Sequence, residues 1–194
     1  MAKLILFNKP FQVMSQFSAC DNKETLADYI KIPDVYPAGR LDFDSEGLLL
    51  LTDNGQLQHR IAHPNHKSAK TYWVQVEGIP TEQAFQDLQK GVTIRVDKRD
   101  YRTKPAEAQA IAEPTLPERD PPIRFRKTVP DSWIELTLKE GKNRQVRKMT
   151  AAVGYPTLRL VRSKIGNLSL GGMQPSDVVE MERAVMYQQL GLMK

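Results

Sequence analysis

Two aspartates that stand two residues apart, Asp42 and Asp44, are the residues best placed to do chemistry. Arg40 precedes them, and an apolar run follows at 48–51. A carboxylate on a short loop at a strand end can reach into a cleft, and two carboxylates suit general acid–base catalysis of the kind that glycosidases use. Aspartate also suits a turn in which it accepts hydrogen bonds from backbone amides, and these residues taken alone favour that turn.

The segments on either side of Asp42 predict how it is held. Residues 37–39 predict a turn, and residues 47–52 predict a buried strand. An Asp-Asn-Gly turn signal at 53–55 ends that strand. Asp42 is therefore expected on a short connection at the entrance of a strand.

The remaining segments mix helical and extended patterns without the regular strand–helix–strand order of a parallel sheet. Residues 70–77 alternate cleanly, with Tyr72, Val74 and Val76 on one face. The sequence therefore predicts an α+β fold with a mixed, largely antiparallel sheet flanked by helices. The other expected strands are 3–7, 92–96, 106–112 and 132–138, the other expected helices are 25–30, 56–62 and 80–90, and 114–130 is expected to be a surface loop or a connection between lobes.

Residues 143–153 predict a helix with two distinct sides. Val146, Met149 and Val153 fall on one side, where they can pack on a sheet. The cations on the opposite side are Arg144, Arg147 and Lys148. Three cations on one face with no acidic residue among them indicate a surface that faces a polyanion rather than an ordinary solvated helix.

The charge of the chain is unevenly distributed. The net charge is +5 over 194 residues, yet residues 121–164 contain 11 lysines and arginines and only 3 acidic residues. The residues outside this block are mildly acidic, and such a distribution suggests a polyanion-binding face, although a charge run taken alone favours a solvated surface. The length suits one substantial domain or two small lobes that share a core.

Several classes of protein are disfavoured by composition. No apolar run approaches the roughly 20 residues of a membrane helix, and the N-terminus has no signal-peptide pattern. Cys20 is the only cysteine, which is typical of a reducing compartment, and we expect a cytoplasmic protein. The histidines and Cys20 have no metal-ligand spacing, and His63, which precedes a proline, is interpreted as a turn residue rather than a base. With no coiled-coil seam, a monomer is expected.

The run from Gly39 to Gly55, which contains Gly-Arg-Leu-Asp and the apolar strand, closely resembles the signature motif of pseudouridine synthases, in the branch typified by the small-subunit rRNA enzyme RsuA. Three further segments resemble motifs of that family in the same order and spacing. They are Lys9-Pro10 with Val13-Met14-Ser15, where Phe11-Gln12 replaces the usual glycine; Lys70-Thr71-Tyr72; and the run Glu140 to Met149, continued by Arg159 to Arg162 and Ile165-Gly166. The resemblance covers roughly residues 3 to 183 and is far more specific than a lone tetrapeptide.

The resemblance implies a role for each matching residue. Asp42 would be the catalytic nucleophile, and the motif at 39–55 and the helix at 143–153 would meet across a central RNA-binding cleft with Asp42 and Arg147 within ion-pair reach. Arg40 would fill the space that a flipped base leaves, or else form a salt bridge with Asp42 or Asp44. Tyr72 would stack on the uracil and Leu160 would form an apolar wall, although both also suit core packing. The expected RNA-backbone contacts are Arg144, Lys148, Lys142 and Lys70.

The resemblance also implies a reaction and a substrate. The reaction isomerises a uridine to pseudouridine without a redox change, so we expect neither a cofactor nor a metal. The Lys-Pro motif begins within ten residues of Met1, so we expect one catalytic domain over 1–194, with two lobes around the cleft and no separate N-terminal RNA-binding domain. The short members of this branch act on the large subunit, so 23S rRNA is favoured over 16S rRNA. Attack by Asp42 at C1′, attack at C6 and removal of a ribose proton all remain open.

Two other functions fit parts of the sequence. One is a ribosome-assembly protein that binds RNA on the same scaffold without chemistry, which the presence of Asp42, Tyr72 and Arg147 argues against. The other is a glycosidase-like hydrolase that uses Asp42 with Asp44. The basic block disfavours a neutral sugar, and sugar sites usually have more aromatic residues than this chain offers.

Overall fold

The computed structural model describes residues 3–62, 68–123, 128–182, 185, 188 and 189, so His63 lies outside the described residues. The chain divides into two compact units. Unit 1 consists of Met1–Ser68 and Arg162–Lys194, and unit 2 consists of Ala69–Val161. Each unit is built around its own set of paired strands.

The helices and strands are short and interspersed. In chain order they are β1 (Leu4–Lys9), β2 (Val13–Met14), β3 (Glu24–Thr25), α1 (Leu26–Tyr29), β4 (Tyr36–Pro37), β5 (Glu46–Thr52), α2 (Gly55–Ala62), β6 (Lys70–Glu77), α3 (Glu82–Lys90), β7 (Thr93–Val96), β8 (Arg99–Arg102), β9 (Glu107–Ile111), β10 (Asp131–Leu138), α4 (Gln145–Ala152), β11 (Thr157–Ile165), β12 (Leu168–Ser169) and β13 (Val178–Met181).

Unit 1 is organised around β1 and β5. β1 pairs antiparallel with β5 on one side, with Lys9 opposite Gly47, and antiparallel with β13 on the other. Every residue of β1 and β5 is buried. A strand that is covered on both faces reads as a continuous apolar run, which explains the sequence of both strands. Lys9 and Glu46, at the ends of these strands, are buried with them.

One side of the unit 1 strands packs on the segment that follows β3. Helix α1 is only four residues long, and a capping box between Thr25 and Asp28 supplies its first turn with hydrogen bonds. The core here consists of Ile5, Phe7, Leu26, Ile30, Val35, Leu41, Leu49 and Leu51. Leu41 belongs to this core, so the residue next to Asp42 is fixed by packing.

Unit 2 is organised around β6 and β10. These strands pair antiparallel over all eight residues, with Lys70 opposite Leu138, and β9 pairs antiparallel with the other edge of β10. Helices α3 and α4 and the β7–β8 hairpin cover the sheet. The shared core includes Val74, Val76, Phe85, Leu88, Ile94, Val96, Leu136, Val146, Met149 and Leu160.

The predicted α+β fold with a largely antiparallel sheet is confirmed, and most expected elements agree with the structure to within a residue or two. The helix predicted at 143–153 is shorter, because Arg144 adopts a left-handed conformation with φ of 53° and α4 begins at Gln145. Its apolar side is as predicted, since Val146 and Met149 are buried. Within the described residues, no helix is long and apolar enough to cross a membrane.

Candidate active site

Asp42 lies on the connection between β4 and β5, in unit 1. The backbone of this connection is fixed on both sides of the aspartate. The Ser15 hydroxyl donates to the Leu41 carbonyl at 2.8 Å and accepts from the Leu41 amide at 3.1 Å. The Ser45 amide donates to the Asp42 carbonyl at 3.0 Å, which closes a turn. Asp42 is partly exposed while Leu41 and Ser45 are buried, so the carboxylate stands on a rigid base.

A buried arginine joins the two ends of the Asp42 loop, which we define as residues 40–48. Arg162 is 3% exposed, and its Nε donates to the Leu48 carbonyl at 2.8 Å while its Nη1 donates to the Arg40 carbonyl at 3.4 Å. Gly47 makes this approach possible, because a Cβ there would lie 2.4 Å from the Arg162 carbonyl oxygen. Gly47 also has a φ of 106°, which other residues rarely adopt.

Lys9 is the second buried cation of this site. Its side chain is fully buried, and its Nζ donates to the carbonyls of Pro10 and Val13 at 2.8 Å each. Burial lowers the pKa of Lys9 from 10.5 to about 7, because the charged form loses its hydration. An amine that is neutral for part of the time still has the two N–H donors that these two carbonyls require.

The acidic residues of the Asp42 loop act on Lys9 in the opposite direction. Glu46, Asp44 and Asp42 all raise the pKa of Lys9, although burial outweighs them, while Arg162 lowers it further. Lys9, Arg162 and three carboxyl groups therefore form one electrostatic cluster within unit 1.

The other expected substrate contacts lie in unit 2, apart from Arg40, which is exposed in the Asp42 loop. Tyr72 lies on β6 and packs partly buried against the unit 2 core. Leu160, on β11, is 5% exposed and belongs to the same core. Arg147 lies on α4 and is half-buried. Since Asp42 and Arg147 belong to different units, their predicted ion pair stays a prediction.

The expected RNA-backbone residues are spread over the first turn of α4, the residues before it and one strand of unit 2. Lys142 and Arg144 precede α4 and are exposed, while Lys148 lies within it and is half-buried. The Arg144 carbonyl accepts from the Lys148 amide at 3.1 Å, so Arg144 is the N-cap of the helix. Lys70 begins β6 and is half-buried. Their roles in RNA binding stay predictions.

A family model described as RNA pseudouridylate synthase matches residues 3–152, which is most of the chain and includes Asp42, Tyr72 and Arg147. The chain belongs to this family. It is therefore a pseudouridine synthase, an isomerase, and the family resemblance of its motifs is confirmed.

Relatives and a solved structure agree with this assignment. The pseudouridine synthase is 52% identical over 180 residues to Ribosomal large subunit pseudouridine synthase E of Vibrio parahaemolyticus, covering 93% of this chain and 74% of the relative. It is 56% identical over 175 residues to the enzyme of the same name from Xanthomonas campestris, covering 89% and 91%. A crystal structure of a pseudouridylate synthase superimposes with a TM-score of 0.80 at 28% identity, covering 98% of this chain and 74% of that one.

Sequence reasoning missed the two buried cations beside the Asp42 loop, Lys9 and Arg162. Lys9 was noted only as part of a motif, and Arg162 only as the continuation of another. A usable signal was present, because both are charged residues that closely follow apolar residues. Lys9 comes after Leu4–Phe7 and Asn8, and Arg162 comes after Leu160-Val161. A charged residue in a buried strand needs a polar or oppositely charged partner, so it indicates that such a partner lies beside it in the fold.

The lowered pKa of Lys9 predicts an unusual pH dependence of stability. Between about pH 7 and pH 10.5 the unfolded chain holds a proton on Lys9 that the folded chain has released. Raising the pH through this range therefore favours folding, by up to about 1.4 kcal/mol per pH unit. We expect the free energy of unfolding, measured with urea at about pH 7.5 and about pH 9.5, to rise more in the parent protein than in Lys9→Met. Equal rises in the two proteins would show that Lys9 keeps its proton.

Proposed function

We propose that this pseudouridine synthase modifies a uridine of large-subunit ribosomal RNA, 23S rather than 16S, with Asp42 as its nucleophile. The observation that carries the proposal is the Asp42 loop itself, a carboxylate on a fixed backbone beside two buried cations. The substrate is supported by relatives at 52% and 56% identity whose names specify the large ribosomal subunit. The basic block at 121–164 supports an RNA substrate.

The chemistry needs a nucleophile and proton transfer but no electrons. The N1–C1′ bond of the uridine breaks and a C5–C1′ bond forms. C5 gives up its hydrogen as a proton and N1 takes one up, so the atoms balance. Asp42 supplies a carboxylate that holds one fragment covalently while the uracil turns. The Tyr72 hydroxyl is the candidate for moving a proton.

Access to the uridine requires that the base leave its stack. Arg40 is exposed at the start of the Asp42 loop, where its long side chain is available to fill the space that the base leaves. Tyr72 would stack on the extruded uracil, and packing against the unit 2 core limits the motion of its ring. Arg147 would stabilise the charge of Asp42, as an arginine beside a carboxylate does.

The first test asks whether the protein makes pseudouridine and where. Purified protein is incubated with unmodified 23S and 16S rRNA made by transcription, and pseudouridine is mapped by reverse-transcription stops after chemical derivatisation. We expect a single site in 23S rRNA. Asp42→Asn is expected to form no product in a single turnover while it still binds the RNA, because the amide is not a nucleophile. Product from that variant, free of parent enzyme, or product only in 16S rRNA would contradict the proposal.

The second test separates catalysis from docking among the cations of α4. If Arg144 and Lys148 contact phosphates, replacing either with Ala is expected to weaken RNA binding and to lower the salt slope of the affinity by about one charge. Arg147→Ala is expected to lose mainly single-turnover rate at saturating RNA, because its proposed partner is a carboxylate of the enzyme. Arg147→Lys is expected to recover only part of that rate, since an ammonium lacks the planar fork of guanidinium. A loss of affinity alone in Arg147→Ala would make it a docking residue.

A further inference from the structure

On one face of the β7–β8 hairpin of unit 2, the residues of β7 are buried while those of β8 reach the surface. Residues directly opposite each other in an antiparallel pair share a face, and Ile94 lies opposite Tyr101 while Val96 lies opposite Arg99. Ile94 and Val96 are buried in the unit 2 core. Tyr101 and Arg99 therefore point to the same side as the core residues, yet Tyr101 is half-buried and Arg99 is exposed.

A buried carboxylate fixes Tyr101. Glu140 is 6% exposed and accepts hydrogen bonds from the Tyr101 hydroxyl at 2.5 Å, the Lys104 amide at 2.8 Å and Gln145 Nε2 at 2.6 Å. Burial alone would raise the pKa of Glu140, but these hydrogen bonds outweigh it and lower the pKa. Glu140 is therefore ionised and holds the hairpin, through Tyr101, to the residues that lead into α4.

The ring of Tyr101 also contacts a cation, Lys142, from the residues that precede α4. Lys142 Nζ lies 4.8 Å from the centre of the Tyr101 ring, a cation–π contact, and the Lys142 amide donates to Gln145 Oε1 at 2.9 Å. Lys142 and Arg99 are both exposed beside Tyr101. The Glu140 carboxylate, to which Tyr101 donates, already accepts hydrogen bonds from three donors, and neither Lys142 nor Arg99 is one of them.

The opposite face of the hairpin differs in one respect. Arg95 and Arg102 are exposed there, but Asp100 lies directly opposite Arg95 and reduces the net charge of that face. The hairpin thus presents exposed arginines on both faces, and the face with Tyr101 combines its arginine with a fixed ring and an exposed lysine, Lys142.

We propose that Arg99, Tyr101 and Lys142, the hairpin patch, bind the phosphate backbone of the substrate RNA next to α4. This inference rests on the proposed function and extends its RNA contacts to the hairpin. Lys142 is held over the Tyr101 ring before binding, so it loses less conformational entropy when a phosphate arrives. The patch contributes affinity and orientation rather than sequence selection, since phosphate contacts carry no base information.

The test compares the two faces of the hairpin. Arg99→Gln and Lys142→Gln are the patch variants, and Arg95→Gln and Arg102→Gln are matched controls that remove one exposed arginine each. Affinity for unmodified 23S rRNA transcript is measured from about 50 to about 200 mM salt. Each patch variant is expected to lower the slope of log K against log salt by about 0.7 to 0.9, the value for one phosphate contact. The controls are expected to change the slope by less than half as much. Equal changes on both faces would overturn the proposal.

Tyr101→Phe tests the anchoring. It keeps the ring and both cations but removes the hydrogen bond to Glu140, so affinity is expected to fall while the salt slope stays that of the parent. Unchanged affinity in a variant that unfolds at the parent temperature would show that Tyr101 anchors nothing.

Pseudouridine formation by the parent protein on the same transcript is assayed separately. If the parent protein forms pseudouridine but the patch variants bind RNA like the controls, the hairpin patch is overturned and the proposed function stands. Absence of product together with the expected difference between the faces would overturn the proposed function and leave the hairpin patch standing.

Discussion

The buried guanidinium of Arg162 is the interaction on which the candidate site depends. It donates to the carbonyls of Arg40 and Leu48, at the two ends of the Asp42 loop, and so fixes the span of that loop. Buried carbonyls that lose their donor each cost about 1 to 3 kcal/mol, and a buried charge without partners costs more. The loop and the arginine therefore stabilise each other, and neither is expected to keep its conformation without the other.

Several unusual features of the chain follow from this arrangement. Gly47 has no side chain because the Arg162 backbone occupies that space. Lys9 ends a buried strand opposite Gly47, and its pKa is lowered chiefly by burial and further by the charge of Arg162. Asp44 and Glu46, which belong to the Asp42 loop, offset the positive charge of Lys9 and Arg162. The acidic run at 42–46 is thus a counter-charge to buried cations as well as the carrier of the proposed nucleophile, and the second carboxylate needs no acid–base role.

The sequence predicted the parts of this architecture that depend on local patterns. The buried strand after Asp42 was predicted from its continuous apolar run. The alternation of β6 and the apolar side of α4 were predicted from periodicity, because a residue every two or every three to four positions must face the core. Strand β8 was missed because Arg99 to Arg102 has no apolar alternation, and its pairing with β7 supplies what its side chains do not. The left-handed conformation of Arg144 was missed because the helical pattern of 143–153 does not indicate at which residue the first turn begins.

The residues of the candidate site also divide into those that the sequence predicted and those that only the structure revealed. Family motifs pointed to Asp42, Tyr72 and Arg147, whereas the roles of Lys9 and Arg162 depend on partners that are distant in the sequence. Arg162 meets Leu48 across 114 positions of the chain, a contact that no local pattern specifies. The motifs thus predict which residues are needed, and the structure shows how unit 1 holds the proposed nucleophile.

The most direct test of this account is the single-turnover rate of pseudouridine formation by Arg162→Lys at saturating RNA. Arg159→Lys, which replaces a buried arginine of the same strand that donates to Pro117, serves as the control. A lysine at 162 supplies a charge but does not span both carbonyls as the guanidinium does. The account predicts a rate at least about tenfold lower than that of the control, corresponding to about 1.4 kcal/mol, with faster amide hydrogen exchange in residues 40–46. A parental rate and parental exchange in Arg162→Lys would contradict the claim that this arginine holds Asp42 in place.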